Sequence, residues 1–216
     1  EKKIYYEGPV LFEELKGSPT QKRRWKKNRE DVYENSPMHF LRAAASDRIK
    51  EEGFRVQEYS VYANPQRPSD SLINVRISYY KSLKNQGIAE RDSLSYWSKK
   101  LKLPKIVYKL QTSPLSKKDI VRSTDKPDQY ILSRNNNWLY VAYNKKHNFH
   151  INDKISYLYN KNNTDNTLIK FTIPEAVFNS QGILFNPYSV TFYGVWGKNR
   201  VAEMLPIDYE PPKNTD

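Results

Sequence analysis

Histidines and carboxylates are the residues of this chain whose types and spacing come nearest to chemistry. His147-x-x-His150, followed by Asp153, is the closest approach to a metal set, because imidazole and carboxylate both ligate zinc-like ions. A specific site needs further ligands and an element that aligns them. Neither is legible, and the stretch reads as a surface loop. His39 stands in PMHFLRAAA without any Ser or Cys nucleophile motif, so it reads as a hydrogen-bonded core histidine rather than a general base. Glu13-Glu14 and Glu51-Glu52 are adjacent carboxylates, but neighbours in sequence need not face each other and make no acid–base pair. No catalytic residue, metal ligand or cofactor is assigned.

The second candidate is a surface for binding. Lys22, Arg23, Arg24, Lys26 and Lys27 crowd into QKRRWKKNREDVY. On a helical wheel of about 3.6 residues per turn, Trp25, Arg29, Val32 and Tyr33 share one side. Arg23 and Lys27 lie on the other. Lys26–Glu30 and Lys27–Asp31 are i,i+4 pairs in the weaker order, and Lys22, Arg23 and Arg24 have no such partner. The charge order also runs against the helix dipole, basic first and acidic last. Helix stability alone does not favour this order. The two readings are a solvated face and a docking face for something anionic. Arg29, on the Trp25 side, is expected to be covered and paired with a carboxylate.

Two consecutive helices must position these residues, over Gln21–Phe54. Ser36 caps the second, with Pro37 at its first position, where no N–H is needed. Met38, Leu41, Ala45 and Ile49 form one apolar stripe while Phe40, Ala43 and Ala44 point elsewhere, which places this helix between layers. Gly53 fits a left-handed stop that brings Phe54 against Ile49.

The rest of the chain alternates punctuation and apolar runs. Lys3–Leu15 reads as a strand and turn, and Phe54–Tyr62 as a strand whose change of phase marks a bulge or an end. Ser69–Gln86 is ambiguous between strand and helix, with Ser69-Asp70 and Gly87 favouring helix. Glu90–Leu101 is a helix with Leu94, Trp97 and Leu101 on one stripe. Beyond it, Lys105–Leu110 is a strand and Ser116-x-x-Asp119 a capped turn. Tyr130–Leu132 and Trp138–Tyr143 flank Asn135–Asn137 as an expected hairpin. Lys154–Tyr159 and Thr167–Ile173 form a second. Val177-Phe178, Gly182–Phe185 and Ser189–Tyr193 supply the last strand pieces, and Trp196–Leu205 a short final helix in which Arg200 and Glu203 clamp onto the sheet. The fold class is α+β: N-terminal helices on a mainly antiparallel sheet built largely from the C-terminal half, in a single mixed domain over residues 1–216.

Composition narrows the partners. A net charge of +12 favours anionic ones: nucleic acid, acidic glycan or lipid, or an acidic protein. Zero cysteines exclude disulfides and thiolate chemistry. No apolar run approaches the roughly 18 residues of a membrane span. Seven glycines include no phosphate-cradling pattern. Seventeen tyrosines and four tryptophans offer stacking area, but Trp25, Trp97, Trp138 and Trp196 read as core packing before they read as a sugar platform. The start at Glu1, inside KKIYYEG, reads as a processed or truncated product.

Several stretches agree in order and spacing with one family: FEEL (Phe12–Leu15), RRWKKNR (Arg23–Arg29), HFLR (His39–Arg42), EEGF (Glu51–Phe54), SYWSKKLKLP (Ser95–Pro104), PLSKKDI (Pro114–Ile120) and GKNRVAEMLPIDYEP (Gly197–Pro211). The chain resembles the carboxypeptidase-like regulatory-domain proteins of Bacteroidetes-type bacteria, in the region that follows their β-sandwich module. That module is similar to the non-catalytic part of carboxypeptidase D, so the resemblance implies no peptidase. It implies instead the C-terminal portion of a larger exported protein, in the periplasm or at the outer membrane. The leading expectation is a non-catalytic protein-binding or assembly module of the cell envelope, with an envelope protein as partner and Lys22–Lys27 as its contact. Binding of a polyanion (nucleic acid, acidic glycan or lipid headgroup) is the alternative, with nucleic acid not favoured. An unrecognised hydrolase is a third possibility.

Overall fold

A computed structural model describes residues 11–83, 87–134, 138–146, 166–198 and 203–212. Among them are five α-helices and eight strands, and every strand pairing of defined register is antiparallel. The architecture is α+β, with the sheet drawn mainly from the C-terminal half. The chain divides into two compact units, residues 1–59 with 110–216, and residues 60–109.

The larger unit begins with α1 (Pro19–Tyr33) and α2 (Pro37–Ala45). Between them Asn35 takes φ 54°, a left-handed turn that asparagine tolerates. Ser36 caps α2 by accepting from the His39 N–H at 3.1 Å, with Pro37 at the first position, as the sequence indicates. The helix ends at Ala45 instead of running on to Gly53. Ser46 Oγ donates to the Arg42 carbonyl at 2.8 Å, and Asp47 turns left-handed at φ 61°. Arg48 N–H then closes back on the Ala43 carbonyl, a helix stop of the Schellman kind. The same closure recurs one turn later. Gly53 sits at φ 84°, its N–H donates to Lys50, and Phe54 donates to Ile49.

Phe54 opens β1 (Phe54–Ala63), which pairs with β5 (Trp138–Tyr143). The register from Phe54↔Tyr143 to Glu58↔Leu139 skips no residue, so no bulge lies in this stretch. The change of phase has another cause: Phe54 and Val56 are buried on one face, Gln57 and Tyr59 on the other. β5 pairs in turn with β6 (Asn166–Phe171), and β6 with β8 (Val190–Gly194). A second sheet of three strands runs β3 (Val121–Ser123), β4 (Tyr130–Ser133), β7 (Glu175–Phe178).

This topology corrects the first expected hairpin. β4 pairs with β3 and β7 rather than with β5, so residues 135–137 connect two sheets. Ile131 and Leu132 are consecutive and both buried, which a two-strand hairpin with a wet face could not achieve. The second expected hairpin has its Lys154–Tyr159 arm outside the described residues, while the strand pieces Val177-Phe178 and Gly182–Phe185 meet around Gly182, where Phe178 bridges Leu184 and the Phe185 N–H donates to Val177. The capped turn is α5 (Lys117–Ile120), where Ser116 and Asp119 form the reciprocal box. Trp196–Lys198 is a 3-10 turn. Lys154–Tyr159, residues 3–10 of the first expected strand and residues 199–202 of the expected final helix, Arg200 among them, lie outside the described residues; Leu11–Leu15 form no strand, and Met204 and Leu205 no helix.

One apolar cluster joins these parts. Phe40, Leu41, Ala43 and Ala44 of α2 are buried together with Val56, Val141 and Ile169 of one sheet and Leu132 and Phe178 of the other. The alanines keep one side of the helix thin enough for close approach while Phe40 fills space against Phe54 and Trp196, at 5.4 and 5.5 Å between ring centres.

The smaller unit contains α3 (Asp70–Ser82) and α4 (Ile88–Lys102), packed on each other, with the end of β1 and β2 (Ile106–Leu110) paired beside them. Ser69 caps α3, which settles the ambiguous segment as helix. Gly87 is the N-cap of α4 instead of the stop of α3. The α4 stripe is not core: no residue of α4 is buried, and Leu101 is exposed. Arg67 ties the unit together, donating to the Leu103 carbonyl at 2.8 Å and pairing with Asp70, which also takes Lys105.

Candidate functional site

The basic face rests on a helix that is well anchored at both ends. Ser18 accepts from the Gln21 N–H, while the Gln21 side chain accepts from the Ser18 N–H at 2.8 Å. This reciprocal box satisfies donors that the first turn would otherwise leave open. The sequence places the start of the helix pair at Gln21, two residues later than Pro19. The Trp25 ring lies against Gly17 so closely that a Cβ there would meet it at 2.6 Å. Arg29 pairs with Glu14 at 3.4 Å. It is paired as expected but only half covered. Tyr33 is buried, and Glu34 after it forms an ion pair with Lys145. Trp25, Arg29 and Tyr33 recur every four residues, so they form the anchored side.

Lys22, Arg23, Arg24, Lys26 and Lys27 are all exposed. None forms an ion pair among the described residues, and neither i,i+4 pair closes. The first turn holds no acid and the last no base. Helix dipole and side chains therefore add to one positive end.

His39 lies one turn beyond, and its surroundings are those of a core residue. Its ring stacks on Tyr33 at 4.7 Å and meets Phe54 edge-on at 4.8 Å. Nε2 lies 3.2 Å from Glu52 Oε2, and Glu52 Oε1 pairs with Arg48 at 2.7 Å. Burial lowers the His39 pKa, and the Glu52 contact opposes it without reversing the direction. The neutral ring donates from Nε2, and Nδ1 finds no partner among the described residues. Tyr143, facing the same cluster, is pushed up to about 12 by burial and then by Glu34 and Glu52. A phenol so weakly acidic holds its proton at ordinary pH. The group is a hydrogen-bonded strut from α2 to the turn before β1, without a nucleophile. Glu51 and Glu52 do not act as a pair, because Glu52 is engaged by His39 and Arg48.

Arg42 is the residue that sequence reading missed. Its guanidinium lies 5.6 Å from the centre of the Tyr33 ring. It donates to three carbonyls: Tyr209 at 2.7 Å, Gln181 at 2.9 Å and Ile207 at 3.1 Å. A single cation inside the apolar run HFLRAAA was the available signal.

Among the tryptophans, Trp196 is buried and donates Nε1 to the Asn35 carbonyl at 2.6 Å. Trp138 sits against Tyr59 and Tyr193, with the Lys170 ammonium 5.3 Å from its ring centre. His147, His150 and Asp153 lie outside the described residues. No group of three His, Asp or Glu among the described residues could hold a metal ion, and no described helix is long and apolar enough to cross a membrane. Comparison with protein-family models, curated proteins and solved structures returns no match to this chain.

Proposed function

We propose that the chain is a non-catalytic protein-binding module of the bacterial cell envelope, docking an acidic partner protein on the exposed face of α1. The observation that carries this reading is the set Lys22, Arg23, Arg24, Lys26 and Lys27, exposed and without ion pairs among the described residues, on a helix anchored by its other side. Rigid presentation lowers the ordering cost of association. Unpaired cations at a positive helix end accelerate encounter with an acidic surface. The envelope location and the kinship with carboxypeptidase-like regulatory-domain proteins rest on the motifs RRWKKNR, HFLR, EEGF and SYWSKKLKLP.

The net charge of +12 favours a second reading, binding of a polyanion through the same face. The two differ in selectivity. A polyanion site takes any polyanion offered, with affinity falling steeply as salt rises. The deciding experiment is capture from envelope fractions at moderate salt with mass spectrometry of the retained proteins, alongside titration with heparin and single-stranded DNA. One saturable protein partner supports the first reading. Equal retention of every polyanion, with no protein enriched, would replace it with the second.

A further inference from the structure

The smaller unit, residues 60–109, carries ten Lys and Arg against three Asp and Glu. One of those acids, Asp70, is already engaged by Arg67 and Lys105. The unit therefore holds more than half of the net positive charge of the chain in about a quarter of its length.

It is also unusually apolar on its outside. Along α3, Ile73 is buried and Ile77 and Tyr80 are half-buried on one side. Leu72, Val75 and Tyr79, spaced i, i+3 and i+7, make a second apolar stripe on the other. That stripe is open: Val75 is 65% exposed and Tyr79 55%. Ile88, at the start of α4, is 76% exposed. Tyr79 stands in the last turn of α3 and Ile88 at the first position of α4. Exposed cations accompany them, Arg76 beside the stripe on α3 and Arg91 one turn after Ile88 on α4.

We infer that this surface of the α3–α4 pair docks on an anionic lipid bilayer surface, with Val75, Tyr79 and Ile88 entering the headgroup boundary and Arg76 and Arg91 holding the headgroups. Three considerations select this occupant. Charge complementarity requires an anionic surface. Nucleic acid would use rings for stacking, whereas Val75, Ile88 and Leu72 are aliphatic and have no face to offer a base. A protein interface concentrates its apolar side chains in a core depleted of charge. Here Arg76 borders the stripe, four residues after Leu72 and three before Tyr79, which suits a boundary where apolar tips go down and long cationic stems reach back to water. Neither α3 nor α4 can span a bilayer, so the mode is surface docking. These residues belong to α3 and α4, so binding through them does not depend on whether the α1 face docks a protein.

The test is co-sedimentation of the full chain with vesicles of phosphatidylcholine alone and of phosphatidylcholine with phosphatidylglycerol. Partitioning onto the anionic vesicles should exceed that onto the neutral ones by about tenfold or more. The triple variant Val75→Ser, Tyr79→Ser, Ile88→Ser should lose most of this binding while keeping its circular dichroism. A second variant, Arg76→Glu with Arg91→Glu, should lose it as well and guards against misfolding of the first. Charge reversal on α1 should leave a substantial, apolar-dependent part intact. Equal binding of the wild type and the serine variant would overturn the inference, as would absence of binding to either vesicle. Two other outcomes would reassign the surface: tighter binding to single-stranded DNA than to vesicles, or wild-type self-association that the serine variant abolishes.

Discussion

Glu52 holds His39 with one carboxylate oxygen at 3.2 Å and Arg48 with the other at 2.7 Å. The bond joins the first turn of α2 to the end of the double left-handed turn that delivers Phe54 into β1. Tyr33 closes the ring from α1. Three consecutive segments are thus fixed to one another by a single buried imidazole.

This arrangement makes stability depend on pH. The His39 pKa lies below its ordinary value of 6.5, so the unfolded chain binds the proton more readily. The contribution is complete above about pH 6.5 and is lost as pH falls from there towards the folded value, below which it levels off. Urea midpoints of the wild type should therefore fall between pH 7.5 and 5.5. In His39→Gln the fall over that range should shrink. An unchanged slope would mean that His39 titrates as if exposed.

Leu41 is buried within the cluster that joins α2 to both sheets of its unit. Leu41→Ala should cost about 2–5 kcal/mol, through lost transfer energy and the cavity left behind. A denaturant-measured loss below about 1 kcal/mol would show that this helix does not organise the core.

Arg42 latches two distant stretches, residues 207–209 and the turn at Gln181. Arg42→Ala should destabilise by about 1–3 kcal/mol, because hydrogen bonds from a charged donor are lost and three carbonyls must find water. Limited proteolysis should then cut within 203–212 earlier than in the wild type. Arg42→Lys keeps the charge but not the fork and should recover little.

The α1 face gives a kinetic prediction. Reversing Arg23, Lys26 and Lys27 to Glu should lower the association rate for an acidic partner, and the difference should shrink in high salt. Stability should change by about 0.5 kcal/mol or less, since these side chains are exposed. An unchanged on-rate in surface-based binding measurements would reduce the face to a solvated surface.

Local chemistry was legible in the residues themselves. Ser36-Pro37 starts α2, Ser116 with Asp119 boxes α5, and Gly53 makes its left-handed stop, because each depends on atoms three to five residues apart. The basic run was legible for the same reason: its i,i+4 order shows which cations lack partners before any packing is known. Tertiary structure decided what depends on distant partners. Asn135–Asn137 carry good turn chemistry, yet β4 and β5 part into different sheets, since consecutive Ile131 and Leu132 need cover on both sides. The bulge or end expected from the change of phase in β1 is instead a strand buried on both faces. Nothing local announces that Glu52 will meet His39, or that Arg42 will reach Tyr209 across most of the chain. Those bonds exist because closing the core desolvates an imidazole and a guanidinium, and each then takes the acceptor that the folded backbone brings to it.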